Sequence, residues 1–209
     1  MKINELYYID SFEYTDFPVT GKYIQNYKIY YEKPIFLLKE DNLYLIYSYS
    51  SKWKSYNIGW FEKNEDGKNF VKGQEIRKQY FNKNFNLISN LTLVKLKEKE
   101  GYTVEVVLVD ERYRGKKLAQ KMYYYFLKYI ASPIISDSKL TREGKKLWIS
   151  FYKSNIFDVK GINLKTNEKF DVELLDNEFY IKSSNKSLID LNRDDKNNKE
   201  NIRLILYLK

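Results

Sequence analysis

The sequence predicts an α+β fold: a mixed, mostly antiparallel central sheet flanked by helices. Three patterns predict it. Residues 102–109, YTVEVVLV, are a near-continuous apolar run, the mark of a central strand covered on both faces. A helix-periodic segment and then a second short apolar run follow it. The first hundred residues are mostly short β-branched and aromatic runs divided by turn signals. A strand–helix–strand step calls for parallel pairing, because the helical crossover returns the second strand alongside the first.

The elements follow in order. Residues 34–39 (PIFLLK) and 42–48 (NLYLIYS) form a hairpin about Glu40-Asp41, and 57–62 (NIGWFE) form a third strand closed by the loop 63–68. Residues 82–97 are ambiguous, with strand preferred at LTLVKLK. Asp110-Glu111-Arg112-Tyr113 turns the central strand into RGKKLAQKMYYYFLKYI, 114–130. There Leu118, Met122, Tyr125, Phe126 and Tyr129 mark one helical face. Ser132-Pro133 ends that helix, and Ile134-Ile135-Ser136 is a short strand. Thr141 caps a second helix reaching about Ser154, with Leu147, Trp148, Phe151 and Tyr152 as its buried stripe. Strands are expected at 156–164, 167–174, 178–183 and 202–208, the last alternating Ile202, Leu204, Leu206 and Leu208 against Arg203, Ile205, Tyr207 and Lys209, and a mobile loop at 184–201, which is rich in Asn, Asp, Ser and Lys. The 209 residues read as one domain: a strand-rich half at 1–100, a core at 101–157 and C-terminal strands at 158–209.

Composition narrows the chemistry. Cysteine and histidine are both absent, so no disulfide, thiolate site, Ser-His-Asp triad or ordinary zinc site can be built. Proton transfer falls to Glu, Asp, Tyr, Lys or water. Lys plus Arg is 37 against 28 for Asp plus Glu, a net charge of +9. Such a surface draws anions: nucleic acid, a phosphorylated cofactor or a membrane. Solubility and the Lys-, Asn- and Tyr-rich coding of AT-rich DNA explain the same excess. No apolar stretch is long enough to span a bilayer, and Met1-Lys2-Ile3-Asn4-Glu5 lacks a signal core. A soluble, cytoplasmic protein is expected. The 21 tyrosines suit half-buried pleated surfaces, so packing is their first explanation.

The chemistry concentrates in Arg112-Tyr113-Arg114-Gly115-Lys116-Lys117-Leu118-Ala119. A helix start presents unpaired N–H groups and the positive end of its dipole. Gly115 leaves the backbone open, and Arg114, Lys116 and Lys117 add charge. Together they suit a pyrophosphate. Neither the Walker pattern nor the G-x-G-x-x-G fingerprint is present.

The run V-E-V-V-L-V-D-E-R-Y-R-G-K-K-L-A resembles the acyl-CoA-binding core of GNAT-type N-acetyltransferases, whose pattern is R/Q-x-x-G-x-G/A after a central strand and opening a helix. Arg112 and Gly115 match, while Lys117 stands where Gly or Ala is usual. Ile134-Ile135-Ser136-Asp137 and Thr141-x-x-Gly144-x-x-Leu147-Trp148 look like the family's next strand and helix, so the resemblance spans roughly 102–157. It implies acetyl-CoA as co-substrate, no metal, and an amine acceptor, either a small molecule or a protein. Pantetheine would lie where the two strands splay, on the free backbone edge of Val107, Leu108 and Val109. The pyrophosphate would sit on the N–H groups of Arg114, Gly115, Lys116, Lys117, Leu118 and Ala119. The valines also serve as core. Lys117 would either crowd the phosphates or contact one.

By the same resemblance Glu105, seven residues before Arg112, is the general base; otherwise it pairs with a neighbouring lysine. The family's usual acid is a Tyr on the second helix, where Trp148 stands. Tyr152, one turn later, is the candidate acid, unless it belongs to the core. Ser136 and Asp137 are candidates for binding the acceptor, and Asp137 could instead cap the helix. Two other functions remain open. A relative lacking its acid could be a binding module, including a viral one acting on a host component. The basic stretches Arg112–Lys121 and Lys139–Lys146, interleaved with aromatics, could bind nucleic acid. Tyr123, Tyr124 and Tyr125 are consecutive on a helix and cannot form one stacking face.

Overall fold

A computed structural model describes residues 21–64, 69–96, 100–137, 140–184, 186–188 and 202–209. A short helix α1 (Gly21–Ile24) runs into a 3-10 turn (Gln25–Tyr30). Strands β1 (Ile35–Glu40), β2 (Leu43–Ser50) and β3 (Ser55–Lys63) follow as a meander. Helix α2 (Lys78–Asn84) leads into β4 (Phe85–Lys95), which pairs with β5 (Tyr102–Val109). Then come a 3-10 turn (Glu111–Tyr113), α3 (Leu118–Tyr129), β6 (Ile134–Ile135) and α4 (Arg142–Tyr152). The chain closes with β7 (Phe157–Asn163), β8 (Lys169–Leu175), β9 (Glu178–Ile181), β10 (Lys186–Ser187) and β11 (Ile202–Leu208).

The strands form one mixed sheet in the order β1-β2-β3-β4-β5-β6-β11-β7-β8-β9-β10. Neighbours pair antiparallel except β5 and β6, which run parallel as the helical crossover requires. The sheet is larger and the helical cover thinner than expected. Among the described residues only α3 and α4 exceed seven residues. On one face Trp60, Leu91, Leu93, Leu118, Met122, Phe126 and Phe151 join under α3 and α4. On the other, Ile24, Tyr31, Phe61, Phe81, Phe85 and Leu87 pack under α1, the first 3-10 turn and α2.

Three expectations are corrected. The first long helix starts at Leu118, not 114, because Gly115 and Lys117 both take positive φ, 83° and 58°, which no right-handed helix contains. Its buried stripe is Leu118, Met122, Tyr123, Phe126 and Leu127. Tyr129 is exposed and Tyr125 is turned toward β1, where its hydroxyl donates to Glu40 Oε1 at 2.6 Å. The centre of β11 is buried on both faces, at Leu204, Ile205 and Leu206, instead of alternating. Thr141 does cap α4: its Oγ1 accepts from the Gly144 N–H at 3.0 Å. Of the loop expected at 184–201, only Ser184 and 186–188 are described, the last including the two residues of β10. The remainder lies outside the described residues.

Candidate active site

The parallel ladder between β5 and β6 holds only two pairs, Tyr102 with Ile134 and Thr103 with Ile135. Beyond Thr103 the two strands part. Among the described residues, the edge of β5 from Val104 to Val109 therefore has no strand partner on that side. This explains why the strand is mostly half-buried, where its sequence suggested full cover. On its other side β5 stays zipped to β4 up to Val109 opposite Ser89. Val107, Leu108 and Val109 thus have one paired and one open edge, with Val107 and Val109 packed toward α3 and Leu108 toward the opposite core.

That ladder carries a bulge. Thr92 faces Val106, but Leu93 faces Val104, which leaves Glu105 as the extra residue. The bulge turns Glu105 and Val106 together to the face of Thr92. Glu105 lies two residues past the last parallel pair, on the stretch where β5 has left β6. Glu105 is exposed in area, yet the surrounding protein raises its carboxyl above the ordinary range, first by burial and then by the charge of Asp137. A carboxyl so raised is better suited to accept a proton near neutrality.

Past β5 the chain turns tightly. Asp110, 1% exposed, caps the 3-10 turn by accepting from the Arg112 N–H at 3.0 Å and also takes its guanidinium in two bonds. The Tyr113 hydroxyl donates to Glu62 of β3, and burial, followed by that bond, pushes its phenol up to about 12. The N–H groups of Arg114 and Lys116 are engaged by the carbonyls of Glu111 and Tyr113. Among the described residues, those of Gly115, Lys117, Leu118, Ala119 and Gln120 have no acceptor in the protein. A Cβ on Gly115 would meet nothing within 4 Å, so the approach to these amides is open. Arg114, Lys116 and Lys117 are exposed around them, and Lys117 does not fill the turn. The donor set of an anion cradle is present: free amides at a helix start beneath a ring of cations.

The other expected residues are placed differently. The Tyr152 hydroxyl donates to the Val172 carbonyl at 3.3 Å, and its ring packs on Phe179. Three strands, β6, β11 and β7, separate β5 from β8 in the sheet order, a span of roughly 19 Å at the usual strand spacing. The structure does not bring Tyr152 to Glu105. Trp148, 2% exposed, is core. Ser136 is 2% exposed and extends the β6–β11 pairing: its N–H donates to the Leu204 carbonyl at 2.8 Å, and its Oγ accepts from the Leu204 N–H at 3.1 Å. Asp137 is exposed. In the basic stretches, Lys121, Lys145 and Lys146 pair with Glu40, Glu178 and Glu143. Lys139 lies outside the described residues.

One residue outside every motif joins the site. Tyr30, at the end of the first 3-10 turn, has its phenol raised by burial and then by the charge of Glu105. Nothing local in the sequence marks it, because its place depends on a contact across the fold. Among the described residues no group of three or more acidic side chains could hold a metal ion, and no helix is long and apolar enough to cross a membrane.

No protein-family model matches the chain, and no curated protein matches it. Among solved structures it is similar to an acetyltransferase of the GNAT family from Bacteroides thetaiotaomicron, at 15% identity over 91% of this chain and 85% of that one, with a TM-score of 0.35. It is similar as well to nourseothricin acetyltransferase, at 10% identity over 84% of each chain and a TM-score of 0.34. A GNAT-family acetyltransferase from Staphylococcus aureus is a third such structure, at 15% identity over 75% of this chain and 69% of that one, with a TM-score of 0.31.

Proposed function

We propose that the protein is an N-acetyltransferase that takes acetyl-CoA and passes its acetyl group to an amine. One observation carries the reading: an unpaired strand edge, Val104–Val109, leads directly to a turn whose amides lack acceptors. An extended chain with amides and a phosphorylated tail has groups for both. Its amides would complete the β5 edge as an added strand does. Its phosphates would take the N–H groups of Gly115, Lys117, Leu118, Ala119 and Gln120, with Arg114, Lys116 and Lys117 supplying charge.

Acetyl-CoA supplies a thioester-activated acetyl group. The chain's own contribution is positioning and proton handling. The acceptor arrives as an ammonium and must lose a proton before it can attack. Glu105, held beside the open edge by the bulge, takes that proton. As the C–N bond forms, the C–S bond breaks; the nitrogen sheds its second proton to solvent, and solvent protonates the departing thiolate. No Tyr on α4 is needed for this balance, and orientation carries the rest of the rate.

The experiment is a calorimetric titration with acetyl-CoA and CoA, paired with a thiol-release assay over a pool of amines. Binding plus amine-dependent thiol release supports the reading. Absence of any CoA binding overturns it. Binding without release from any amine moves the protein to a non-catalytic ligand-binding role.

A further inference from the structure

On the side of β5 away from β6, a second cleft opens between the β1–β2 turn, β3 and the start of α3. Its volume is about 440 Å³, toward the small end of ligand pockets. The ladder register builds one wall. Glu40 pairs with Leu43, and Leu43 with Glu62, so these three side chains lie in one row across β1, β2 and β3. Trp60 stands two residues before Glu62 and therefore on the same face. The facing wall comes from Tyr113 and Lys116 of the turn and from Leu118 and Lys121 of α3.

Most of the charges in the cleft are already engaged. Glu40 takes the Lys121 ammonium and the Tyr125 hydroxyl, and Glu62 takes the hydroxyl of Tyr113. The Lys121 ammonium also lies 5.7 Å from the centre of the Trp60 ring, and that of Lys116 4.9 Å from the Tyr113 ring. Asp41 is exposed at the rim and has no partner among the described residues. Three carboxylates, Glu40, Asp41 and Glu62, thus share the cleft with two ammonium groups. At Trp60 the polarity reverses. This residue is fully buried and lines the cleft, yet its indole N–H has no acceptor among the described residues. A buried donor left unpaired is costly, so an acceptor brought to it is favoured.

We propose that this cleft binds a zwitterion of the α-amino-acid type, its carboxylate at the Trp60 N–H beside Lys121 and its ammonium between Asp41 and Glu62. A plain anion would meet three carboxylates. A plain amine would leave the Trp60 N–H without an acceptor. A zwitterion satisfies both ends, and Leu43 and Leu118 offer an apolar side chain its wall. The ligand is not placed to be the acetyl acceptor. Tyr113 and Lys116 lie beyond the end of β5, and the four steps from Glu105 to Val109 alone span roughly 13 Å. The inference therefore stands apart from the acetyltransferase reading.

The test is calorimetric titration of the full chain with L-leucine and its two halves. These are 3-methylbutylamine, which lacks the carboxylate, and 4-methylpentanoate, which lacks the amine. We expect leucine to bind about tenfold or more tightly than either half. Leucyl-glycine, with its charges farther apart, distinguishes the ends of a short peptide from a free amino acid. Trp60→Phe keeps an aromatic ring but removes the N–H; it should weaken leucine about tenfold and leave 3-methylbutylamine unchanged. Asp41→Asn alters an exposed residue whose φ of 49° asparagine accepts; it should weaken leucine and leave 4-methylpentanoate unchanged. Should Trp60→Phe fail to give a cooperative melt, Asp41→Asn decides alone. Equal affinity for leucine and either half, no binding of leucine or leucyl-glycine, or indifference of leucine to Asp41→Asn overturns the inference. Leucine binding in a protein that does not bind CoA overturns only the acetyltransferase reading.

Discussion

Arg112 donates to both carboxylate oxygens of Asp110, from Nε to Oδ1 at 3.0 Å and from Nη2 to Oδ2 at 2.8 Å. The arginine that opens the turn is therefore tied to the buried acid that caps it. Its first role is to hold the loop in which the amides of Gly115, Lys117 and Leu118 stay open. The Arg112 bond, opposed by burial, keeps the Asp110 carboxyl below the usual range. A depressed carboxylate stabilises the fold above its unfolded pKa of about 3.9 and loses that contribution as pH falls through its folded value. Arg112→Ala should accordingly lower the melting temperature at pH 7, and the gap should narrow as pH falls below the ordinary aspartate range. A gap independent of pH would show that the ion pair is not its source.

Glu105 has the reverse sign. Its folded pKa lies above the unfolded one, so its stabilisation is complete below that unfolded value and is lost as pH rises. Glu105→Gln should leave the protein as stable as wild type or more so at pH 7, while thiol release falls about a hundredfold or more. The wild-type rate should rise with pH on an acid limb above the ordinary glutamate range, and the variant should lack that limb. Steady-state rates across pH 4–9 decide the matter; an unchanged limb in the variant removes Glu105 from proton transfer.

Gly115 and Lys117 both sit at positive φ, but only one has the side chain suited to it. Lys117→Gly should raise stability by up to about 1 kcal/mol, because the left-handed backbone costs an L-residue roughly 1–2 kcal/mol and part of that is returned in unfolded-chain entropy. Gly115→Ala should lower stability by about 1 kcal/mol for the same reason. Gly115→Glu adds a carboxylate in front of the free amides and should abolish CoA binding in a titration. Retained affinity would put the phosphates elsewhere.

Gly59 of β3 is fixed by its surroundings, not its φ. An added Cβ would stand 2.5 Å from the Ser89 carbonyl and 2.5 Å from the Tyr31 hydroxyl, both immovable in a packed interior. Gly59→Ala should cost about 1–3 kcal/mol, read as a lower urea midpoint at constant slope.

Strands at 102–109 and 202–208, the crossover helix and the capped α4 were legible because period, cap and breaker agree locally. The place of the turn around Arg112 and Gly115, between a strand and a helix start, was legible, as was that of Glu105 as a lone carboxylate inside an apolar strand. The helix Lys78–Asn84 was not. KQYFNKN has no amphipathic stripe of its own, and α2 is held by Phe81 inserting among Tyr31, Phe61 and Phe85. Tyr30 escaped for a similar reason, since its neighbour Glu105 is remote in sequence. The surroundings of Tyr152 were not legible, because helical spacing places a side chain on a face but does not say which strands lie beneath it; its hydroxyl meets β8.

Beneath the first 3-10 turn, a chain of buried polar groups crosses β4 and β3. The Tyr31 hydroxyl donates to Asn90 Oδ1 at 2.8 Å, Asn90 Nδ2 to Thr92 Oγ1 at 2.9 Å, Thr92 Oγ1 to Asn57 Oδ1 at 2.8 Å, and Asn57 Nδ2 to Ser55 Oγ at 3.4 Å. Sliding β3 against β4 by one residue would break the Thr92–Asn57 bond that joins them and leave both groups without a partner in the interior. The ladder thereby acts as a ratchet pawl. It favours one alignment of β3 with β4, and its member Thr92 faces Val106, next to the bulge at Glu105. The acidic residue of β5 thus borders on a stretch of β4 that neutral amides and hydroxyls tie to β3.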